Sequence, residues 1–239
     1  MKILSIGNSF SQDATRLLEA VSDGEFFSRN LFVPGCSLKM HAENIAKNAD
    51  VYEYQKDGEP IGKTSVYDAL LREKWDYVTV QQGSAFSGMY ETYEPYLTEV
   101  TDLVKKTCPS SKIVFHRTWS YENGSVNDYF PPYLCDSDVM LEKIIEASAV
   151  AAANHSLPTI PVGNAVQRAR RLPEFDIAHG GMPITRDGFH LSFDYGCYLA
   201  ALVWYKFFTG KNPEDVTFAP QGTDPGINAK LKKIAKEVL

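Results

Sequence analysis

Lys2-Ile3-Leu4-Ser5-Ile6-Gly7-Asn8-Ser9-Phe10-Ser11 decides the fold. The run Lys2–Ile6 has the length and apolar character of a strand buried on both faces, and it leaves through Gly7-Asn8-Ser9 into a helical pattern. A buried strand that turns at once into a helix is the opening unit of a parallel sheet, so strands and crossover helices should alternate along the rest of the chain. Further strands are predicted at Asn30–Val33, Tyr77–Gln81, Lys112–His116 and Thr159–Val162. Helices are predicted at Ala14–Val21, Lys39–Lys47, Ser65–Lys74, Glu94–Lys106, Asp138–Asn154 (capped by Asp138), Asn164–Arg171, Phe193–Phe208 and Asn228–Val238. Val51–Gln55 is expected to form a short hairpin arm with the segment around Lys63. No repeat and no linker divides the chain, which predicts one α/β domain over residues 1–239 with a five-stranded parallel sheet and helices on both faces.

Composition removes several classes of function. With 239 residues, 44% of them apolar and 23% charged, the chain is too hydrophobic to be disordered and long enough to bury a core without staples. A net charge of −6 without a Lys/Arg block gives no footprint for nucleic acid. The apolar run Tyr198–Tyr205 is far short of the roughly 20 residues of a membrane span, so no membrane partner is expected. Cys36, Cys108, Cys135 and Cys197 form no C-x-x-C and no Cys/His cluster, so reduced, buried thiols are expected. No His or carboxylate spacing suggests a metal site, and no cofactor is called for. Met1-Lys2 runs straight into the first strand, which predicts a cytoplasmic protein, or a secreted one if a leader has been trimmed.

Two long connections, Gln82–Tyr93 and Arg117–Asp136, follow predicted strands and so lie at the carboxyl edge of the sheet, where open α/β folds bind ligands. The second carries Trp119, Tyr121, Tyr129, Phe130 and Tyr133, a content that argues for order. Such a loop either contacts a ligand or builds a small satellite core.

Gly7-Asn8-Ser9 places a hydroxyl at a helix N-terminus, where free N–H groups and the helix dipole favour negative charge. This spot can cradle a phosphate, hold a nucleophilic Ser whose own N–H meets the oxyanion, or simply cap the helix. Neither G-x-G-x-x-G nor G-x-x-x-x-G-K-[ST] is present to support the phosphate reading. A Ser nucleophile needs a base, and the base an orienting carboxylate. Asp-x-x-His occurs twice, at Asp176–His179 and Asp187–His190. The second pair is preferred because it directly precedes the last apolar helix, with Ser192 able to cap that helix and Gly188 permitting a bend. His179, beside Gly180-Gly181, reads as a surface residue, and His41 and His155 as structural. His116 ends the fourth predicted strand at the ligand edge and is a candidate binding residue.

Gly-Asn-Ser at the first strand-to-helix turn, a Gly after the second strand and Asp-x-x-His before the final helix together resemble the SGNH/GDSL hydrolase superfamily. The matching blocks span about 185 residues. The family's first block is usually Gly-Asp-Ser. The resemblance implies a flavodoxin-like three-layer α/β/α sandwich, Ser9 as nucleophile, His190 as base and Asp187 as its partner. It also implies Ser9 and Gly35 as backbone oxyanion donors. Where the family has Gly-x-Asn-Asp, this chain has Gln81-Gln82-Gly83, similar to carbohydrate-esterase branches with a Gln-Gly pair. A Gln carboxamide can supply the same N–H, so Gln82 (or Gln81) is expected as third donor. Asn8, Gln81, His116 and Trp119 are expected to contact substrate. With aromatic, amide-rich loops over the site and no lid-like amphipathic apolar helix, the expected reaction is removal of a short, acetyl-like acyl group from a carbohydrate ester. The alternative is a non-catalytic ligand- or phosphate-binding module. The α/β-hydrolase reading fails, because G-x-S-x-G is absent.

Overall fold

The computed structural model describes residues 1–239. Strands β1 (Lys2–Gly7), β2 (Phe27–Phe32), β3 (Tyr52–Lys56), β4 (Glu59–Thr64), β5 (Tyr77–Val80), β6 (Lys112–His116) and β7 (Thr159–Ile160) form a single sheet in the order β4-β3-β2-β1-β5-β6-β7. β2, β1, β5, β6 and β7 run parallel, which is the doubly wound order 2-1-3-4-5 when counted along the chain. β3 and β4 run antiparallel and lengthen the β2 edge. The expected five-stranded parallel sheet is therefore corrected to a mixed sheet of seven strands. The supposed hairpin arm is part of the sheet. Its turn is Asp57-Gly58, with φ of 51° and 79°, the two positive values that a tight hairpin turn requires.

Helices α1 (Ser9–Thr15), α2 (Leu18–Val21), α3 (Leu38–Ala46), α4 (Val66–Leu71), α5 (Tyr96–Thr107), α6 (Ser137–Asn154), α7 (Val162–Ala169), α8 (Tyr195–Thr209) and α9 (Pro225–Glu237) cover both faces. The alternation of β1 shows why two cores form: Ile3 joins the cluster under α1, α7, α8 and α9, whereas Leu4 and Ile6 join the one under α3, α4 and α5. α6 feeds both, through Met140 and Ile144 on one side and Ala147 and Ala151 on the other. α8 is apolar on every side and buried along nearly its whole length, as a helix of that pattern must be. α9 lays Ile227, Leu231 and Ile234 against this core and starts at Pro225, behind an Asp224 cap.

Three local expectations are corrected. The predicted helix Ala14–Val21 is two helices, α1 and α2; the Thr15 hydroxyl donates back to the Ser11 carbonyl at 2.8 Å, a bond that competes with the helical ladder. Asp136, not Asp138, caps α6, because its Oδ1 accepts from the N–H groups of Asp138 and Val139 at 2.8 and 3.0 Å. Cys36, Cys108 and Cys197 are buried free thiols, but Cys135 is exposed. No helix is long and apolar enough to cross a membrane.

Candidate active site

The site is assembled from the carboxyl ends of β1, β2, β5 and β6, where the winding of the sheet reverses. The β1 exit is too tight for a side chain at Gly7, where an added Cβ would fall 2.0 Å from the Ser11 hydroxyl. Asn8 caps α1 by accepting the Phe10 N–H at 2.9 Å, and Ser11 Oγ reciprocates by accepting the Asn8 N–H at 3.0 Å. Capping is thus complete without Ser9. Its hydroxyl lies 2.8 Å from Nε2 of His190, across 181 residues of sequence.

His190 Nδ1 lies 2.6 Å from Asp187 Oδ2. An ionised carboxylate only accepts, so Nδ1 carries the proton and Nε2 is left to accept from Ser9. The other Asp187 oxygen accepts the backbone N–H of His190 at 2.8 Å and of Phe189 at 3.2 Å. Partial burial pushes the Asp187 carboxyl up, but the His190 ring and these backbone donors outweigh it and hold it below the usual carboxylate range. Beneath the dyad, Phe10 stacks on Trp119 with ring centroids 4.3 Å apart, and the Trp119 indole N–H donates to the Phe189 carbonyl at 2.7 Å. Trp119 therefore props the Ser9 helix and the His190 loop at once, and it is fully buried.

Behind Ser9 runs a chain of buried amides. His116 Nδ1 donates to Gln81 Oε1 at 2.9 Å, Gln81 Nε2 to Asn8 Oδ1 at 2.8 Å, and Asn8 Nδ2 to the Cys36 carbonyl at 2.9 Å. The Phe10 N–H fixes the direction of the whole series, because it requires Asn8 to present oxygen to it. Burial pushes the His116 imidazole down to about 3, so it is neutral around pH 7. The expectation that Asn8, Gln81, His116 and Trp119 touch substrate is corrected: all four are at most 1% exposed and lie behind the wall of the cavity. Asn8, held by Gln81 and His116 behind it, ties the Ser9 turn to the loop that carries Gly35.

Gln82 is also corrected. Its Oε1 accepts the Leu38 and Gly83 N–H groups at 2.9 and 2.8 Å, which leaves Nε2 to donate to the Thr92 carbonyl and hydroxyl, both at 3.0 Å. Two backbone donors fix the amide's orientation, and none of its hydrogens is free for an oxyanion. Gly35 does sit at the site, in the left-handed region with φ of 62°. The N–H groups of Ser9 and Gly35 have no acceptor within the protein.

Ser9, Gly35 and His190 open into a cavity of about 580 Å³. Sequence reasoning did not assign its remaining walls. Phe86 and Tyr129 meet edge to face at 5.8 Å, and Ser84 Oγ lies 3.0 Å from the Tyr121 hydroxyl. Gln12, Asn127, Arg186 and Phe189 add to the lining, with Phe32, Pro34, Met40 and Ala85 as further apolar walls. The signal available was the aromatic, amide-rich composition of the two long loops. His41 and His155 are structural, bonded to Tyr52 at 2.9 Å and Glu94 at 2.6 Å. A separate polar cavity of about 470 Å³ near α7 contains no Ser–His pairing; its Gln167 is bonded to Ser137 and Asp138.

The model of a domain of unknown function, DUF4886, matches residues 2–238. No protein of curated function matches the chain. A DUF4886 family protein from Bacteroides uniformis has a crystal structure 34% identical in sequence, with a TM-score of 0.90 over 99% of this chain and 93% of that one. A candidate SGNH hydrolase from Slackia heliotrinireducens is 24% identical, with a TM-score of 0.62 over 87% of this chain and 98% of that one. An acetyl xylan esterase is 11% identical, with a TM-score of 0.57 over 86% of this chain and 98% of that one. These likenesses give the chain the SGNH hydrolase fold, and the family match running from end to end makes it a member of the DUF4886 family.

Proposed function

We propose that this protein is a serine esterase that removes short acyl groups, such as acetyl, from a carbohydrate. The observation that carries the reading is the hydrogen-bonded series from Ser9 Oγ to His190 Nε2 at 2.8 Å and from His190 Nδ1 to Asp187 at 2.6 Å, beside two unpaired backbone donors. In this reaction His190 takes the hydroxyl proton as Ser9 Oγ attacks the ester carbonyl, and Asp187 stabilises the imidazolium. The N–H groups of Ser9 and Gly35 hold the tetrahedral oxygen. His190 then returns the proton to the departing alcohol, and water, activated by the same imidazole, releases the acid from the acyl-enzyme. The substrate class rests on the lining: aromatic faces on which a sugar ring stacks, with the Gln12, Asn127 and Ser84 side chains within the same walls to meet its hydroxyls.

A covalent serine-hydrolase probe tests the chemistry. Labelling should be lost in Ser9→Ala and His190→Ala and kept in His179→Ala; an unlabelled wild-type protein that instead binds a phosphorylated ligand tightly belongs to the non-catalytic class. A series of p-nitrophenyl esters tests the acyl group. Activity should fall steeply from acetate to dodecanoate, and equal rates on the two would refute a short-acyl enzyme.

A further inference from the structure

Asp13 is a carboxylate with no part in the reaction above, and its side chain is wholly buried. It lies on α1, one helical turn beyond Ser9. Both of its oxygens accept from Nη1 of Arg186 at 3.0 Å, and Oδ2 also accepts the Leu191 N–H at 2.9 Å. Arg186 and Leu191 are the two arms of the loop that carries Asp187 and His190. The loop is closed across its neck by the Arg186 N–H donating to the His190 carbonyl at 2.8 Å, by the bridge between Thr185 and Leu191, and by Arg186 Nη1 reaching the Leu191 carbonyl.

Stability gives no reason for such a pair. Burying the Asp13 carboxylate costs several kcal/mol, which a guanidinium left 28% exposed offsets only in part, and an apolar side chain of similar volume usually fills such a space as well. What an apolar pair lacks is direction. Three hydrogen bonds accepted by one carboxylate specify where each arm of the loop sits relative to α1, whereas packing alone tolerates a slide. We propose that Asp13 is a positioning residue, which anchors the His190 loop through Arg186 and Leu191 to the same helix that carries Ser9. The Ser9–His190 contact then depends on one helix and one clamped loop rather than on the relative placement of distant parts of the sheet. This rests on Ser9 and His190 acting together, as under the proposed function.

The experiment compares Asp13→Asn, Arg186→Met and Arg186→Lys with the wild-type chain, by steady-state kinetics on p-nitrophenyl acetate and by proton NMR of the His190 Nδ1–H. Asp13→Asn keeps the volume but presents an amide to the guanidinium. It should lower kcat about 10²-fold with KM unchanged, since a misplacement near 1 Å costs that much. The downfield His190 resonance should shift or broaden in Asp13→Asn and Arg186→Met, and Arg186→Lys should recover part of both signals. Should Asp13→Asn fail to fold, the half-exposed Arg186 variants carry the same comparison. A lowered Tm with kcat per folded molecule and the His190 resonance both unmoved would make Asp13 a plain stabilising residue and overturn the proposal. The NMR arm does not depend on turnover: a wild-type chain that never labels, with a resonance that still moves in Asp13→Asn, removes the esterase and leaves the anchor standing.

Discussion

The chain contains the same dyad twice, and only one copy turns its far imidazole nitrogen onto a hydroxyl. Asp176 and His179 lie 2.7 Å apart and Asp187 and His190 2.6 Å apart, both at a spacing of three residues and both through Nδ1. Each loop also holds a Gly in the left-handed region, Gly180 at φ 90° and Gly188 at φ 88°. Beyond this the two diverge. The His179 side chain is 83% exposed, whereas that of His190 is 20% exposed, its Nε2 pointed at Ser9 and its ring packed beside Phe10 and Phe189. Asp187 collects two backbone N–H groups, while His179 is the sole partner of the Asp176 carboxylate. Three residues of local sequence suffice to pair an imidazole with a carboxylate. A hydroxyl at the far nitrogen takes a contact across 181 residues of sequence.

The largest way to break this comparison is to take the charge from each carboxylate. Asp187→Asn should lower kcat on acetate esters about 10⁴-fold, because an amide in place of the carboxylate no longer enforces the Nδ1–H tautomer or stabilises the imidazolium. Asp176→Asn should leave kcat and KM unchanged. Parallel losses in both variants, measured as initial rates at saturating substrate, would mean that the two dyads share a role and that Ser9 is not what separates them.

Local patterns were the legible part of this molecule. The β1 run, the Gly-Asn-Ser turn and the second Asp-x-x-His each lie within about ten residues, and each adopts the form its composition implies. The dyads were separated by context, since Asp187–His190 immediately precedes an apolar helix that has to be buried. Side-chain direction at the ends of β5 and β6 was not legible. Gln81 and His116 stand at the ligand edge in sequence terms, but they face the Asn8 cap, and this depends on contacts 73 and 35 residues away. Gln82 has the chemistry of an oxyanion donor, but the Leu38 N–H that turns its oxygen inward comes from 44 residues earlier. Asp13 falls just before the predicted helix Ala14–Val21 and gives no sign in sequence of its partner, which lies 173 residues on. The β3–β4 pair did leave a readable trace, Asp57-Gly58, the turn dipeptide that closes it.

Asn8 sharpens the comparison from the nucleophile's side, because it fixes Ser9 where His190 meets it and nothing equivalent stands near His179. It also accounts for Asn where the related pattern usually has Asp. Nδ2 must donate to the Cys36 carbonyl, while Oδ1 accepts from Phe10 and Gln81. A carboxylate would set oxygen against oxygen at Cys36 and bring a charge into a buried site. Asn8→Asp should therefore cost about 1–3 kcal/mol of stability or more, as for a buried polar group left without its partner. The measurement is the denaturant midpoint, with kcat falling alongside as the Gly35 loop loses its tie to the Ser9 turn. A midpoint equal to that of wild type would mean that the Cys36 contact contributes nothing.

The smallest effect separates the two loops by their glycines. An L-residue forced into the left-handed region costs about 1–2 kcal/mol, so Gly180→Ala and Gly188→Ala share that baseline. Space then divides them. A Cβ at Gly180 meets no atom within 4 Å, whereas at Gly188 it would lie 2.9 Å from Ser125 Oγ and 3.1 Å from Ser125 Cα. Gly180→Ala should lower Tm slightly and leave kcat alone. Gly188→Ala should lower Tm further and lower kcat as well, because backbone atoms at Ser125 have to give way or push the His190 loop from Ser9. Equal shifts in Tm with kcat unaffected in both would show that the base loop has slack, and that the rigidity argued for Asp187 and His190 is held elsewhere.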